Sequence, residues 1–386
     1  MRDPLACRRL MPTLARPEPV FVRGQGSWLW DTEGRAYLDF SQGWAANSLG
    51  HSPSVLVDAL RHQAERLICP GPALHTRSTL DLASQLCQAT DSEQVHFCLD
   101  GEQANRGAVA LARKWGRLHR DGAWRVLVAR SPLPGRAPQA PSVPADAGFD
   151  EAPYNDLEAL QAALRDDTVA VMLEPVLADE DVAPATLDYL QGTARLCRER
   201  GLLLILDEVQ SGVGRCGALL AEELYGVRAD ILTLGKGLGG GLPLAALLAR
   251  GNAGCFEPGE PETPQGSALI SAAGLAVLAT VLEPSFLQQV RRASDHLREG
   301  LARIARRYGH GPLRGHGLLL GLPLIRQSAP AVVEAALAEG LLLQATPTGC
   351  LRFTPALTIS HGNIDEMLKR LARAFARCRR VAVEEV

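Results

Sequence analysis

The sequence predicts an α/β protein, with a large domain built on a mostly parallel central sheet and a smaller α+β C-terminal domain. Two patterns in the 386 residues support this fold class. Apolar runs of strand length alternate with segments of helical period, as in chains made of β-α-β units. After Glu283 the alternation gives way to a long helical segment followed by short strands. We therefore expect an N-terminal segment over 1–45 that packs with the small domain, a large domain over 46–283 and a small domain over 284–386.

Periodicity also predicts the individual elements. Strands of the central sheet are expected at 95–98, 125–129, 169–174, 202–207 and 231–234. Helices are expected at 54–67, 102–118, 187–200, 268–282 and 286–308. The small domain should contain strands near 317–322 and 350–354, and a final amphipathic helix with Met367, Leu371 and Phe375 on one side. Between 131 and 147, five prolines interrupt the periodicity and predict a loop.

Composition and charge favour a small-molecule ligand. The formal net charge of −3 gives no electrostatic reason to expect binding to nucleic acid or to an anionic membrane. The nine cysteines are odd in number and lack C-x-x-C spacing, so they predict reduced thiols in the cytoplasm rather than a metal site. No run approaches the roughly 20 apolar residues of a membrane-spanning helix. The N-terminal segment also lacks the apolar core of a secretion signal.

Two motifs that resemble nucleotide-binding signatures fail on spacing. The run 212–217 matches G-x-G-x-x-G, but four residues separate its first glycine from the preceding strand, whereas the dinucleotide fingerprint begins at the strand end. The apolar run that ends at Asp207 resembles the magnesium-binding strand of ATPases. Its companion motif would require a glycine at 230 and a hydroxyl after Lys236, where this chain has Asp230 and Gly237. An ATPase is therefore not predicted.

Lys236 and Asp207 form the most informative pair in the chain. Lys236 lies in the glycine-rich run 234–241, and Asp207 ends an apolar stretch 29 positions upstream. A lysine in such a loop is ordinarily a solvated surface residue, but the only other lysines here are Lys114 and Lys369, among many arginines. An amine that can lose its proton serves as a Schiff-base nucleophile, whereas a guanidinium cannot. The pair predicts a site that holds an aldehyde cofactor as an imine.

The sequence around this pair, 205–215 and 231–241, resembles the signature of class III, pyridoxal-phosphate-dependent aminotransferases, in particular the acetylornithine aminotransferases. Further matching segments are 29–40, 49–51, 225–227, 314–318 and 357–360. The resemblance implies a fold-type I transferase that binds pyridoxal 5'-phosphate and moves an amino group between an acetylornithine-like, ornithine-like or other ω-amino donor and a 2-oxo acid. It also implies a cytoplasmic homodimer with its site at the subunit interface and a role in arginine biosynthesis.

The resemblance assigns roles to four residues near the cofactor ring. Lys236 would hold the cofactor as an imine and then move a proton between the substrate and the cofactor. Asp207 would pair with the pyridinium nitrogen and keep it protonated, so that the ring acts as an electron sink. Val209 would pack on one ring face, and Gln210 would hydrogen-bond the phenolic oxygen. The alternatives are a core valine and a loop glutamine.

Five further residues are assigned to the phosphate and the substrate. Gly101 and Glu102 would donate main-chain N–H groups to the phosphate at a helix N-terminus. Thr263 would supply a hydroxyl to the phosphate from the neighbouring subunit. Arg136 and Arg352 align with arginines that bind the substrate carboxylate, a task for which a planar guanidinium suits. For both arginines the alternative is a solvated side chain.

Four stretches depart from the family pattern. Asp100 stands where the family has serine beside the phosphate, and like charges about 4 Å apart repel by about 4 kcal/mol at an effective dielectric near 20. Asp100 and Gln103 together resemble a capping box, which would stabilise the helix without an anion. The family's ring-stacking aromatic is replaced within 133–135, its Gln-Gly-Glu loop within 177–179 and its Gly-Gly-Asn motif within 265–267.

Two classes of function therefore remain open at the level of sequence. One is a working enzyme with altered specificity, either an aminotransferase or a related enzyme such as a racemase. The other is a catalytically impaired paralogue that acts as a structural or regulatory partner. Retention of Lys236, Asp207 and Gln210 together favours the enzyme.

Overall fold

A computed structural model describes residues 9–11, 13, 16–71, 73–130, 148–260 and 267–384, with side chains up to 378. The chain begins with three antiparallel strands, β1 (Phe21–Gln25), β2 (Trp28–Asp31) and β3 (Ala36–Asp39). The elements of the large part then follow in chain order: α1 (Ser54–Ala64), α2 (Arg77–Thr90), β4 (Gln94–Cys98), α3 (Gly101–His119), β5 (Arg125–Arg130), β6 (Phe149–Pro153), α4 (Leu157–Ala162), β7 (Thr168–Leu173), β8 (Val176–Leu177), β9 (Ala183–Pro184), α5 (Leu187–Arg200), β10 (Leu203–Asp207), α6 (Glu222–Tyr225), β11 (Ile231–Leu234), β12 (Ala245–Ala249) and α7 (Ala268–Val281).

Seven of these strands form the central sheet, in the order β4-β12-β11-β10-β7-β5-β6. Strand β12 runs antiparallel to both of its neighbours, and the other pairs are parallel, so the mostly parallel sheet is confirmed. Side chains alternate between two buried faces. Met172 and Ile205 pack with helix α3, whereas Val171 and Leu204 belong to the larger core on the other face. Burial on both faces explains why these strands are apolar at nearly every position.

The C-terminal part contains, in chain order, α8 (Phe286–Tyr308), β13 (Arg314–His316), β14 (Leu319–Pro323), α9 (Ala329–Ala338), β15 (Leu341–Leu342), β16 (Gln344–Ala345), β17 (Cys350–Phe353) and α10 (His361–Glu384). Four strands form an antiparallel sheet in the order β13-β14-β17-β16. Strand β15 pairs with β3, which joins the N-terminal strands to this part of the chain. We retain as a proposal the division into 1–45, 46–283 and 284–386. Among the described residues no single helix is long and apolar enough to cross a membrane. Helices α7 and α8 together reach that length and apolarity, but the pair is bent by 73°.

Most predicted elements are confirmed, and the exceptions have local causes. The predicted bounds of α5, α8 and β11 agree with the structure, whereas α1 ends at Ala64. The strand predicted near 317–322 is confirmed as β14 (Leu319–Pro323), which begins two residues later because Gly317, with a φ of +53°, lies in the turn between β13 and β14. Strand β12 was not predicted, since its sequence Ala-Ala-Leu-Leu-Ala lacks β-branched and aromatic residues. Met367, Leu371 and Phe375 are fully buried. The predicted loop over 131–147 lies outside the described residues.

A buried ion pair joins three elements on the far side of the sheet from the α3 core. The Arg250 Nη2 atom lies 2.6 Å from Glu222 Oε1, and both side chains are about 95% buried, with 4% and 5% exposed. Arg250 also donates to the carbonyl oxygens of Thr90 and Ala229. It therefore ties the end of α2 to α6 and to the end of β12.

We expect Arg250→Met to lower the free energy of unfolding by about 3–5 kcal/mol, because it leaves the Glu222 carboxylate buried without a counter-charge. Urea denaturation measures this change. The matched control is Arg228→Met, which removes the exposed pair with Asp91 and should change stability little. Equal losses in the two variants would contradict the expectation.

Candidate active site

A cavity of about 690 Å³ opens at the edge of the central sheet where strands β5, β7 and β10 end. In open α/β sheets, ligands bind at this edge because the carboxyl ends of parallel strands and the following helix N-termini converge there. The start of α3 and the turn after β11 complete the wall. Six predicted site residues line the cavity, namely Gly101, Glu102, Asp207, Val209, Gln210 and Lys236.

Lys236 is the first residue of a short 3₁₀ turn, Lys236–Gly239, that follows β11. Its φ of +41° lies in the left-handed region, which is strained for a residue with a side chain. The side chain is half-buried. Burial lowers the pKa of its ammonium group, and the nearby Asp179 carboxylate opposes this effect. The net lowering makes the neutral, nucleophilic amine more accessible at neutral pH than in an exposed lysine.

Asp207 ends β10 and is buried, with 8% of the residue exposed. Burial raises its pKa, and the hydrogen bonds from the Val209 N–H and from Asn105 lower it in part. The Asn105 Nδ2 atom lies 2.6 Å from Asp207 Oδ2, and the Val209 nitrogen lies 3.0 Å from Oδ1. These donors stabilise the ionised form of a carboxyl group that burial alone would neutralise.

Asn105 is a site residue that the sequence reasoning missed. It projects from α3 toward the sheet and is 2% exposed. Its Oδ1 atom accepts a hydrogen bond of 2.7 Å from Thr233 on β11, so its amide orientation is determined by partners on both sides. The sequence feature that could have indicated Asn105 is its position as an amide on the alanine-rich face of a predicted helix, four residues after Gly101. A buried amide at such a position requires polar partners.

Gly101 brings the start of α3 close to the segment after β10. A Cβ atom built on Gly101 would lie 2.5 Å from Val209 Cγ1, which is closer than real Cβ contacts. Only glycine therefore permits this approach. On the same segment, Gln210 is 8% exposed, and its Oε1 atom is buried with no hydrogen-bond partner among the described residues. Such an atom favours a polar ligand group in the cavity.

Asp100 caps α3. Its side chain accepts a hydrogen bond of 2.8 Å from the Gln103 N–H, and Gln103 Oε1 in turn accepts one from the Leu99 N–H. The predicted cap is confirmed, although the second bond goes to Leu99 rather than to Asp100 itself. The Glu102 side chain is directed to an ion pair with Arg106. The main-chain N–H groups of Gly101 and Glu102 have no intrahelical acceptor, so they remain available for an anion.

Arg352 on β17 is 7% exposed and is held by three acceptors. Its Nη1 atom lies 2.5 Å from Asp179 Oδ1 and 3.2 Å from the Ala178 carbonyl oxygen, and its Nη2 atom lies 2.8 Å from Gln344 Oε1. Burial alone would raise the pKa of Asp179, but Lys236 and Arg352 lower it, so this carboxyl group is ionised. Asp179 lines the cavity, and Arg352, which is not among the cavity-lining residues, is its ion-pair partner.

Two predicted site residues, Arg136 and Thr263, lie outside the described residues. The same holds for the departures from the family pattern at 133–135 and at 265 and 266. The described part of the site therefore comprises the six predicted residues that line the cavity, together with Asp179 and Arg352.

Comparison with known proteins identifies the family. The profile of the family "Aminotransferase class-III" matches residues 13–375. The chain belongs to the class III aminotransferases. It is 43% identical to acetylornithine aminotransferase 2 of Bordetella bronchiseptica, over 96% of this chain and 98% of the relative. It is 41% identical to the acetylornithine aminotransferase of Ralstonia nicotianae, over 94% and 96% of the two chains.

Solved structures agree with this assignment. N-acetylornithine aminotransferase from Stenotrophomonas maltophilia superposes with a TM-score of 0.84 at 34% identity, over 94% of this chain and 96% of that one. Ornithine aminotransferase from Toxoplasma gondii gives a TM-score of 0.88 at 28% identity, over 99% and 95%. The fold is therefore that of fold-type I transferases, and this class III aminotransferase is an enzyme that depends on pyridoxal 5'-phosphate.

The cavity fits this cofactor at three points. A buried carboxylate, Asp207, suits a protonated ring nitrogen, and the amine of Lys236 suits an aldehyde. The unpartnered Gln210 Oε1 atom marks a polar contact that the described chain leaves open. Asp100 is an unfavourable neighbour, since its negative charge lies beside the helix N-terminus that would receive the phosphate.

We expect Asn105→Ala to reduce kcat by about tenfold to a hundredfold, the effect of one lost hydrogen bond to a charged group. Loss of this donor raises the pKa of Asp207, so Asp207 becomes protonated at a higher pH than in the wild type. The acid limb of the pH profile of kcat should therefore move to higher pH. Asn363→Ala, which removes a hydrogen bond to Trp28 away from the cavity, is the matched control. An unmoved acid limb in Asn105→Ala would exclude this role for Asn105.

Proposed function

We propose that this class III aminotransferase moves an amino group from an acetylornithine-like or ornithine-like ω-amino donor to a 2-oxo acid. The observation that carries the proposal is that the Lys236 amine and the buried Asp207 carboxylate line one cavity of the family fold. The names of the relatives, which match over nearly their whole length, support the donor class. They also favour a role in arginine biosynthesis.

Bound pyridoxal phosphate supplies an electron sink for chemistry at the donor carbon. In our proposal the Lys236 amine attaches the cofactor and, once the substrate has displaced it, carries a proton to and from the substrate carbon. The Asp207 carboxylate accepts a hydrogen bond from the protonated ring nitrogen. Asn105 holds this carboxylate in place and helps to keep it ionised.

The remaining cofactor contacts are proposed for residues around the same cavity. Val209 packs against one face of the ring, and the Gln210 amide hydrogen-bonds the phenolic oxygen. The main-chain N–H groups of Gly101 and Glu102 bind the phosphate at the start of α3, where the helix dipole favours an anion. Thr263 adds a hydroxyl from the neighbouring subunit.

The substrate carboxylate is assigned to Arg352 and Arg136. Arg352 is held in position on a strand, but it forms an ion pair with Asp179. A substrate carboxylate can therefore bind Arg352 only if this ion pair breaks. A bidentate guanidinium–carboxylate pair can compensate for the lost contact. Asp179 therefore lowers the affinity of Arg352 for the substrate carboxylate and raises the pKa of Lys236.

We expect Asp179→Asn to lower the KM for a 2-oxo acid, because Arg352 loses its competing carboxylate. The same variant should shift the pH dependence of cofactor attachment to apo protein toward lower pH. The sign follows from the Asp179 charge, which raises the pKa of Lys236 and is removed by the substitution. The matched control is Asp181→Asn, which removes the pair with Arg314. A pH profile unchanged from wild type in Asp179→Asn would refute the coupling.

The comparisons do not favour the alternatives of an impaired paralogue or a racemase. The described site also offers a physical argument against a loss of cofactor binding during evolution. Asp207 retains its donors Asn105 and Val209 N–H although the buried carboxylate lowers stability. A protein that no longer bound the cofactor would gain from replacing Asp207 with an apolar residue.

We also propose a cytoplasmic homodimer with the site at its interface. Large apolar side chains are exposed along the stretch from 44 to 80, and these are Trp44, Val55, Leu67, Ile68, Leu74 and Leu80. Exposed apolar side chains that recur in one region favour a protein interface. The eight described cysteines are free, as a reducing compartment requires.

We expect Ile68→Asp to convert the dimer to a monomer, because a charge at an apolar interface is costly to bury. Light scattering after size-exclusion chromatography measures the mass. The control is Ile325→Asp in the C-terminal part, where the isoleucine is 71% exposed against 57% for Ile68, and this variant should remain dimeric. A monomeric wild-type protein would disprove the proposed assembly.

The decisive experiment for the function uses Lys236→Ala. Wild-type protein mixed with pyridoxal phosphate should develop the absorbance of bound cofactor, and borohydride should fix the cofactor on Lys236. An ω-amino donor should then bleach the absorbance in the unreduced enzyme. We expect Lys236→Ala to lose fixation and to lower turnover by at least about 10²–10⁴-fold.

Lys369→Ala is the matched control, since this lysine is exposed on helix α10. It should retain wild-type fixation and turnover. If the wild type binds the cofactor but no amino donor bleaches it, the proposed function is wrong and a binding role replaces it.

A further inference from the structure

Arg130 is a cavity residue to which neither the family signature in this sequence nor the proposed function gives a role. It is the last residue of β5 and lines the cavity beside Ala129. Its side chain is 18% exposed, and its Nη2 atom lies 2.9 Å from Glu151 Oε1. Its Nε and Nη1 atoms are buried and have no hydrogen-bond partner among the described residues.

Unpaired nitrogens on a buried guanidinium are unfavourable. The group carries five N–H donors in a rigid fork and does not lose its proton in proteins. Burial therefore cannot neutralise it, and each donor without an acceptor keeps its full desolvation cost. Glu151 satisfies one nitrogen only, and this carboxylate is itself 50% exposed. The geometry leaves two nitrogens, Nε and Nη1, available for an acceptor in the cavity.

The other cations near this cavity are already engaged. Lys236 is assigned to the cofactor aldehyde, and Arg352 is held by Asp179 and Gln344. Arg106 pairs with Glu102 at the start of α3. Asp100 meanwhile adds negative charge where the family has a neutral residue. Among the described cations near the cavity, Arg130 therefore has buried N–H groups that are not yet hydrogen-bonded and can bind an anionic ligand.

We propose that Arg130 binds an oxyanion of the ligands in this cavity through a charge-assisted hydrogen bond from its Nε or its Nη1 atom. The oxyanion is either the phosphate of the cofactor or a carboxylate of the substrate. The two share the same chemistry, since a guanidinium N–H donates a charge-assisted hydrogen bond to the oxygen of either group. The proposal rests on the proposed function, because it assigns a further binding residue to the same site.

Arg130→Met tests the proposal by removing the charge while retaining an unbranched apolar side chain of similar length. Two quantities distinguish the sources of the oxyanion. The first is the Kd of apo protein for pyridoxal phosphate, measured by absorbance titration, together with the thermal shift that inorganic phosphate produces in the apo protein. The second is the KM for a 2-oxo acid, measured at saturating cofactor.

A cofactor Kd raised about tenfold or more, with a lost phosphate-induced shift, identifies the phosphate as the ligand. A KM raised by a similar factor, with the cofactor Kd unchanged, identifies the substrate carboxylate. If both constants stay within about twofold of wild type, the proposal is overturned. If the wild type itself fails to bind pyridoxal phosphate, the proposed function fails instead, which keeps the two failures distinguishable.

Two further variants separate binding from a structural role. Arg125→Met removes an arginine from the other end of β5 that is fully paired with Asp150, and it should leave both constants unchanged. Glu151→Gln removes the ion-pair partner of Arg130 but keeps its Nε and Nη1 atoms, so both constants should stay near wild type. A loss in Glu151→Gln equal to that in Arg130→Met would show that the arginine acts only through its ion pair, and would also overturn the proposal.

Discussion

The site depends on one buried charge, the carboxylate of Asp207 at the end of β10. A carboxylate at this depth becomes neutral unless donors surround it. The donors come from two directions: Asn105 on α3 and the main-chain N–H of Val209 in the segment that follows the strand. Each requires a particular backbone path, and Gly101 allows the start of α3 to approach Val209 closely enough. The sheet, the helix and the loop are thus arranged around a single polar group.

Neighbouring charges around the cavity shift one another's pKa values. Asp179 pairs with Arg352 and also raises the pKa of Lys236, whereas burial lowers it. A ligand carboxylate that takes Arg352 therefore also changes the field at the amine. Arg130 differs from these groups, since the described chain leaves two of its nitrogens without acceptors. A cavity whose cation lacks hydrogen-bond acceptors is complementary to an anionic ligand, which would supply them.

Asp100 illustrates how stability and ligand binding compete at a helix N-terminus. Its carboxylate caps α3 through the Gln103 N–H, which stabilises the helix in the absence of any ligand. The same charge disfavours a phosphate at that end of the helix. The neutral residue that the family has at this position avoids the repulsion of the phosphate but does not provide a charged cap. In our proposal, Arg130 on the cavity wall offsets this repulsion without loss of the cap.

The sequence alone determined the class of fold, most of the helices and strands, and the Lys236 and Asp207 pair. Periodicity and residue type are local properties, and they need no knowledge of distant contacts. Only the tertiary structure revealed Asn105, the engagement of Arg352 by Asp179 and the unpaired nitrogens of Arg130. Asn105 and Asp207 are 102 positions apart, and Asp179 and Arg352 are 173 apart. No local pattern encodes such pairs, because they exist only once the strands and helices have packed.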